Sequence, residues 1–324
     1  MGRLFHATFG HKWHGQETGH SSSVGYLIRI PKCVIRPVNG IQHMKKFALT
    51  LGGGGARGAV HIGIWMEMER LGLRPQLLTG TSIGGIMAAL IAAGLSSEEL
   101  ITFYKKFDLP KLYALPLGKP AITDNKKLER LLQDTIGRPT FAELKIPLAV
   151  VATDMIARTE VILDEGDVIS AVLATSAFPV VLPPVERDGL ILVDGGILNN
   201  VPFDVARARG APRVIAVALS NSAPYGTPSD NVVGKGLLNR MLSAAENTPI
   251  WQVVTTVSDI LTSRSIDTRH GISRADILLR PYVGTVGLFD FDNMEQGIEA
   301  GRKAFRDAEQ EIKAILQETS RLDE

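Results

Sequence analysis

Residues 77–94 read LLTGTSIGGIMAALIAAG: an apolar strand-like run, a serine between glycines, and an uncharged helical stretch. Gly80, Ser82 and Gly84 form G-x-S-x-G in the strand–turn–helix context of a nucleophile elbow. A serine on so sharp a turn has strained backbone angles, and glycines two residues before and after it avoid a collision. Its hydroxyl would lie at a helix N-terminus, whose dipole favours developing negative charge. The stretch predicts a nucleophilic Ser82; the alternative is a helix N-cap serine beside packing glycines.

From Lys46 onward, short apolar strands alternate with helical stretches. The predicted strands are 47–51, 76–79, 148–153, 190–193, 214–219 and 277–279. The predicted helices are 57–71, 82–93, 126–136, 168–177, 202–209, 237–263 and 293–317. This alternation predicts an α/β fold, a three-layer sandwich whose largely parallel central sheet is covered by helices on both faces. Sites in such sheets lie beyond the carboxyl ends of the strands. One domain is expected over residues 44–317, followed by a frayed tail over residues 318–324.

A run of four glycines precedes the first helix, in the stretch LTLGGGGARG over residues 49–58. Each glycine loses much backbone entropy on ordering, so the run is costly unless bare backbone N–H groups are needed, for example to bind an anion. Gly53, Gly55 and Gly58 also match the dinucleotide-binding fingerprint G-x-G-x-x-G. The acidic residue expected at the end of the second strand is missing, because that strand ends at Thr79-Gly80. Nucleotide binding is therefore a weaker alternative.

A serine hydrolase needs a base, and residues 44–324 contain only two histidines, His61 and His270. His61 is expected to be a packed or surface residue of the first helix. His270 lies in a polar loop and could complete a triad in the chain order Ser, Asp, His. Asp194 is the better candidate, because it ends an apolar strand and two glycines keep space around its carboxylate. An ordinary Asp-Gly turn is the alternative.

The first 43 residues differ in composition from the rest and are predicted to be an extension outside the fold. They contain five of the seven histidines, at positions 6, 11, 14, 20 and 43, in a spacing that matches no familiar metal-ligand pattern. No metal or cofactor is expected. Cys33 is the only cysteine, so a disulfide within the chain is excluded and a reducing compartment is indicated.

The overall charge is balanced, with Lys+Arg 35 against Asp+Glu 34, which gives no net attraction to nucleic acid. No apolar run reaches the roughly 18 residues of a membrane span, so a cytoplasmic protein is expected. Residues 103–127 mix aromatic and aliphatic side chains with six lysines. This segment predicts peripheral contact with an anionic lipid surface; the alternative is a solvated connection whose aromatics anchor it to the core. Residues 221–235 are a second candidate for a mobile rim.

Three motifs in this order resemble the patatin-like phospholipase family, and the resemblance is to a short bacterial-type member with a single domain. The motifs are Gly53-Gly54-Gly55-Ala56-Arg57-Gly58, Gly80-Thr81-Ser82-Ile83-Gly84 and Asp194-Gly195-Gly196. Residues 174–179 (ATSAFP) and 199–202 (NNVP) extend the resemblance.

The resemblance implies a Ser82–Asp194 dyad that hydrolyses lipid acyl esters, of phospholipase A or lysophospholipase type, without histidine or metal. Gly53, Gly54 and Gly55 would then form the oxyanion hole, each donor being worth about 3 to 4 kcal/mol. Arg57 would either fix this loop or add positive potential. A histidine-dependent α/β-hydrolase using His270, a nucleotide-binding protein and a non-catalytic lipid-binding protein are the alternatives.

Overall fold

The structure is a computed structural model that describes residues 46–106, 125–179, 181–219, 260, 266–271, 273–284, 286, 288 and 291–322. Its strands are β1 (Ala48–Leu51), β2 (Leu77–Thr81), β3 (Leu148–Asp154), β4 (Thr159–Leu163), β5 (Val185–Arg187), β6 (Leu190–Asp194), β7 (Val214–Val217) and β8 (Ile277–Leu279). Its α-helices are α1 (Ala59–Arg70), α2 (Ile83–Ala93), α3 (Ser97–Lys106), α4 (Lys126–Ile136), α5 (Val168–Thr175), α6 (Phe203–Ala208), α7 (Met294–Asp307) and α8 (Glu309–Leu322). Short 3-10 turns cover Gly55–Gly58, Phe141–Glu143, Gly195–Ile197 and Phe291–Asn293.

The strands form one sheet in the order β5-β6-β3-β2-β1-β7-β8, with β4 paired to β3 outside this path. Strands β3, β2, β1, β7 and β8 are parallel, as the alternating pattern predicts. The other pairings, β3–β4, β3–β6 and β5–β6, are antiparallel. The sequence did not predict β4 and β5, which are five and three residues long and have one buried residue, Leu163, between them.

Helices cover both faces of the sheet, which confirms the predicted α/β architecture. Alternate residues of β1 point to opposite faces: Leu49 packs in the main core with α1 and α2, whereas Ala48 packs with Phe203 of α6. Helix α2 has no charged residue and is buried from Ile83 to Ala92. It therefore forms a rigid apolar support under the serine turn.

Two predicted helices differ from the structure or lie beyond it, and one helix of the structure was not predicted. Helix α3 was not predicted, although its buried residues Ser97, Leu100, Phe103 and Tyr104 recur at helical spacing. The predicted helix 293–317 is two helices, α7 and α8, separated at Ala308, and α8 continues to Leu322 rather than fraying at residue 318. Most of the predicted helix 237–263 lies outside the described residues. Of the helices that the structure describes, none has the length and apolar character needed to span a bilayer.

Helices α1 and α7 pack at very short range. A Cβ at Gly63 would lie 2.0 Å from the Ile298 carbonyl oxygen, and one at Gly301 would lie 2.2 Å from the Val60 carbonyl oxygen. Glu67 of α1 is buried beside this contact and forms ion pairs with three arginines, namely Arg70 (2.5 Å), Arg302 (3.0 Å) and Arg306 (2.8 Å). Burial opposes ionisation of Glu67, but the arginines outweigh it and lower its pKa to about 2. The buried charge of Glu67 is therefore compensated.

Candidate active site

Ser82 lies between β2 and α2 with a backbone conformation that is unusual for a residue with a side chain, at φ 55° and ψ −129°. Gly80 and Gly84 must be glycines, because neither position has room for a side chain. A Cβ at Gly84 would lie 2.1 Å from the Leu51 carbonyl oxygen, and one at Gly80 would lie 2.6 Å from the Gly84 carbonyl oxygen. The turn therefore has the sterics of a nucleophile elbow, with the serine at the carboxyl edge of the sheet.

Asp194 ends β6 opposite Ala152 of β3 and is only 2% exposed. Its Oδ1 accepts a hydrogen bond of 2.7 Å from the Gly196 N–H. Its Oδ2 is buried and accepts no hydrogen bond of normal geometry within the described part of the chain. Burial raises the pKa of Asp194 to about 6, against the opposing effects of the Ser82 hydroxyl and the Gly196 N–H. This carboxylate lies beside the serine and can accept a proton near neutral pH.

The glycine loop follows β1 and passes directly over Ser82. A Cβ at Gly53 would lie 3.0 Å from the Ser82 Cβ and 2.5 Å from Asn200 Oδ1, so only glycine fits there. The N–H of Gly53 donates to the Asn200 carbonyl oxygen (3.1 Å), so in this conformation it is not offered to an oxyanion, and the predicted donor role of Gly53 stays a prediction. No acceptor among the described residues takes the N–H of Gly54 or Gly55. These two are the available donors of the loop.

Arg57 is buried and holds the glycine loop in place through its guanidinium group. Its Nε donates to the Val286 carbonyl oxygen (2.9 Å) and its Nη1 to the Leu219 carbonyl oxygen (3.4 Å). The guanidinium thus ties the glycine loop to the segments that follow β7 and β8. Of the two roles considered for Arg57, these contacts favour the fixing of the loop.

Two further residues orient the site, and the motifs did not assign them a role. Thr175, the last residue of α5, accepts a hydrogen bond from the Ser82 N–H (3.1 Å) and donates its hydroxyl proton to the Val151 carbonyl oxygen. Asn200 Nδ2 donates to the Gly53 carbonyl oxygen (3.2 Å). Both residues lie in the ATSAFP and NNVP stretches, which were the available signal.

Neither histidine is placed as a base. His61 is buried, its Nε2 lies 2.8 Å from the Gly52 carbonyl oxygen, and burial lowers its pKa to about 4. The ring therefore packs neutral and donates to the loop backbone. His270 packs edge-on against Phe203 of α6, with ring centroids 5.6 Å apart. Among the described residues, neither imidazole has a hydrogen bond to Ser82 or Asp194.

The geometry gives little support to a nucleotide site or a metal site. The third glycine of the nucleotide fingerprint, Gly58, packs against the side chain of Ile83. A Cβ at position 58 would lie 2.2 Å from Ile83 Cγ1, so there is room only for glycine. Packing thus accounts for this glycine without a pyrophosphate. In the described ranges, His, Cys, Asp and Glu form no group of three that could hold a metal ion.

The segment predicted to contact membranes is described only at its two ends, residues 103–106 and 125–127. Phe103 and Tyr104 are buried there, and the Tyr104 hydroxyl donates to the Ala56 carbonyl oxygen beside the glycine loop. These two aromatics anchor the segment to the core, as its alternative interpretation supposed. The rest of the segment, and residues 221–235, lie outside the described residues.

The chain is similar to several known proteins in sequence and in fold. Residues 49–207 match the family model described as Patatin-like phospholipase. An uncharacterized NTE family protein of Mycobacterium tuberculosis is 31% identical over 274 residues, covering 82% of this chain and 46% of that protein. Patatin-like phospholipase domain-containing protein 6 of Mus musculus is 29% identical over 272 residues, covering 78% of this chain and 20% of that protein. VipD from Legionella pneumophila gives a TM-score of 0.47 at 14% identity, covering 82% of this chain and 67% of that one.

The sheet and the strained serine define the class as an α/β protein with a nucleophile elbow. Within that class, residues 49–207 belong to the patatin-like phospholipase family. The chain spans less than half the length of the two relatives named here.

Proposed function

We propose that this chain is a serine acyl hydrolase that cleaves carboxylic esters of lipids, with residues 44–317 as its catalytic domain. The observation that carries the proposal is the pairing of a strained Ser82 with a buried Asp194 whose Oδ2 accepts no hydrogen bond of normal geometry within the described residues. Family membership supports lipid esters as the substrate class. Phospholipase A or lysophospholipase activity, acting peripherally at a membrane from the cytoplasm, is the specific form proposed.

In the acylation step, ionised Asp194 takes the hydroxyl proton of Ser82 while Ser82 Oγ attacks the ester carbonyl carbon. The carbonyl oxygen becomes an oxyanion, which the N–H groups of Gly54 and Gly55 stabilise together with the N-terminus of α2. When the C–O bond breaks, the leaving alcohol takes the proton from Asp194. Ser82 is then left as an acyl ester.

In the deacylation step, Asp194 takes a proton from water, and the hydroxide attacks the acyl carbon. Collapse of the second oxyanion breaks the bond to Ser82 Oγ, which recovers the proton, and the fatty acid leaves. The raised pKa of Asp194 suits this cycle, because a carboxylate with a pKa near 6 is a stronger base than an exposed one.

The proposal is tested by labelling the purified protein with a fluorophosphonate ester and mapping the modified residue. We expect a single adduct at Ser82, together with loss of activity towards a short-chain ester in proportion to labelling. Asp194→Asn should label at least about 100-fold more slowly, since the base that activates the serine is lost. Labelling at a different residue, with activity lost in parallel, would refute the Ser82 assignment.

A further inference from the structure

A cavity of about 470 Å³ opens beside the strand that ends in Asp194. Three segments line it: the end of β3 with its turn (residues 153–155 and 158), residues 179 and 182–184, and residues 193, 197 and 198. The lining is almost entirely apolar, with Met155, Leu182, Val193, Ile197 and Leu198 joined by three prolines. Its volume lies within the range of about 300 to 1,000 Å³ that is typical of small-molecule sites.

The cavity is adjacent to the reacting groups but does not include them. Val193 in its wall immediately precedes Asp194, and the hydroxyl of Thr153, also in the wall, donates to the Asp194 carbonyl oxygen (3.1 Å). The lining contains neither Ser82 nor the glycine loop. A ligand here would extend away from the reaction centre and leave the Asp194 carboxylate in place.

The rim exposes apolar side chains to solvent. Met155 is 50% exposed and Ile197 is 42% exposed at the mouth, and Ile156, at the tip of the same β3–β4 turn, is 74% exposed. Such a cluster around an open cavity indicates a surface that binds an apolar partner.

The charged groups of the lining do not conflict with such a partner. Asp154 Oδ1 is already occupied, because it accepts from the N–H groups of Ile156 (2.8 Å) and Ala157 (3.3 Å) and so closes the turn. Arg158 forms no ion pair with the described residues and is exposed. An anionic or zwitterionic lipid head would meet this cation at the mouth, while the almost entirely apolar interior offers few of the polar partners that a sugar or nucleotide would need.

We infer that this cavity binds one long acyl chain. The chain belongs either to the lipid ester under attack or to a free fatty acid, and the cavity recognises the methylene chain that the two share. The first source deepens the proposed function and rests on it, whereas the second does not.

Binding is measured by titrating saturated fatty acids of roughly six to fourteen carbons, below their micelle concentrations, into the Ser82→Ala protein. We expect one site, with affinity rising about three- to fourfold per added methylene until the cavity is full. Met155→Asp and Ile197→Asp should each weaken binding of the longest acid at least about tenfold. Ile162→Asp is the matched control, since Ile162 is 37% exposed on β4 but does not line the cavity. An affinity independent of chain length, or equal losses in all three variants, would overturn the inference.

The source of the chain is decided with a pair of esters, one long and one short, on the otherwise wild-type protein. If the cavity holds the chain of the substrate, Met155→Asp should lower the long-to-short ratio of kcat/KM at least about tenfold, and Ile162→Asp should leave the ratio unchanged. An unchanged ratio with weakened fatty acid binding assigns the cavity to free fatty acid. An unchanged ratio with unchanged binding refutes the cavity while the proposed hydrolysis stands. A protein that binds fatty acid here yet cleaves neither ester refutes the hydrolysis alone.

Discussion

The α1–α7 contact and the catalytic edge of the sheet use buried polar groups in opposite ways. At the helix contact, Glu67 is surrounded by three arginines that lower the pKa of its carboxyl group to about 2. At the catalytic edge, burial raises the pKa of Asp194 to about 6, and its Oδ2 accepts no hydrogen bond of normal geometry within the described residues. Two buried carboxylates in one domain thus have pKa values displaced in opposite directions.

The difference shows how the fold stabilises a site that is itself unfavourable. Unfilled hydrogen-bonding capacity and a strained serine cost free energy, and they persist only where the surrounding structure is stable enough to hold them. The compensated, closely packed α1–α7 contact is part of that structure. Substitutions at the two regions should therefore separate activity from stability.

The largest effect is expected for Ser82→Ala, which should lower ester turnover by several orders of magnitude, because only binding and oxyanion stabilisation remain. Its melting temperature should stay close to that of the wild type. Ser82→Gly is the informative companion, since glycine tolerates φ 55° and should be about 1 kcal/mol more stable than Ser82→Ala. Retention of more than about a tenth of the activity in Ser82→Ala would show that another residue is the nucleophile.

Glu67→Gln should lower the stability of the fold but leave the activity nearly unchanged. Loss of the buried charge removes the carboxylate that the three arginines share, although Arg70 and Arg302 keep Glu309 and Glu299. Because the arginines are partly exposed, we expect a loss of about 2 kcal/mol in unfolding free energy. Activity at 25 °C should change less than about threefold. Glu299→Gln provides the control, because Glu299 pairs with the same Arg302 (3.3 Å) but is exposed, so its loss should be undetectable in chemical denaturation. Equal losses in the two variants would contradict the compensated contact.

A smaller effect is expected for Thr175→Val, which keeps the shape of the side chain but removes the acceptor of the Ser82 N–H. A misoriented nucleophile should lower kcat about tenfold, with KM nearly unchanged and the same pH profile. Thr175→Ser retains the hydroxyl and should restore most of kcat. If valine and serine behave alike in steady-state kinetics, the hydroxyl has no positioning role.

The sequence predicted the parts of the molecule that depend on local pattern. The strand–glycine–helix and strand–serine–helix units lie where their periodicity and glycine spacing placed them, and Asp194 ends its strand as expected. These features are local because a sharp turn demands glycine at fixed positions. Strands as short as β4 and β5 offer too few alternating positions to be distinguished from loops.

The details of the site depend on contacts between distant segments, which local pattern does not encode. The N–H of Gly53 is taken by Asn200, which lies 147 positions away in the sequence, and Thr175 reaches the Ser82 N–H across 93 positions. Spacing around the glycine loop could therefore suggest three oxyanion donors but could not show that one of them is already occupied. The opposite pKa displacements of Glu67 and Asp194 likewise follow from which partners surround each carboxylate once the chain is folded.

The raised pKa of Asp194 can be tested without an activity assay, by measuring the unfolding free energy of the wild type and of Asp194→Asn as a function of pH. Because the pKa of Asp194 is higher in the folded protein than in the unfolded chain, this group stabilises the fold below about pH 4, and that contribution is lost as the pH rises through 6. The asparagine variant lacks this loss. Relative to the wild type, it should gain on the order of 3 kcal/mol between pH 4 and pH 7.

The most direct test of the dyad is kinetic and uses one short-chain ester. The wild type should show an acid limb in kcat/KM with an apparent pKa near 6, since Asp194 must be ionised to act. Asp194→Asn should lose at least about 100-fold, whereas the combined replacement of His61 and His270 by Gln should cost less than about tenfold and leave the limb in place. If His270→Gln alone were as inactive as Ser82→Ala while Asp194→Asn remained active, the Ser82–Asp194 dyad would be refuted and a histidine-dependent mechanism would take its place.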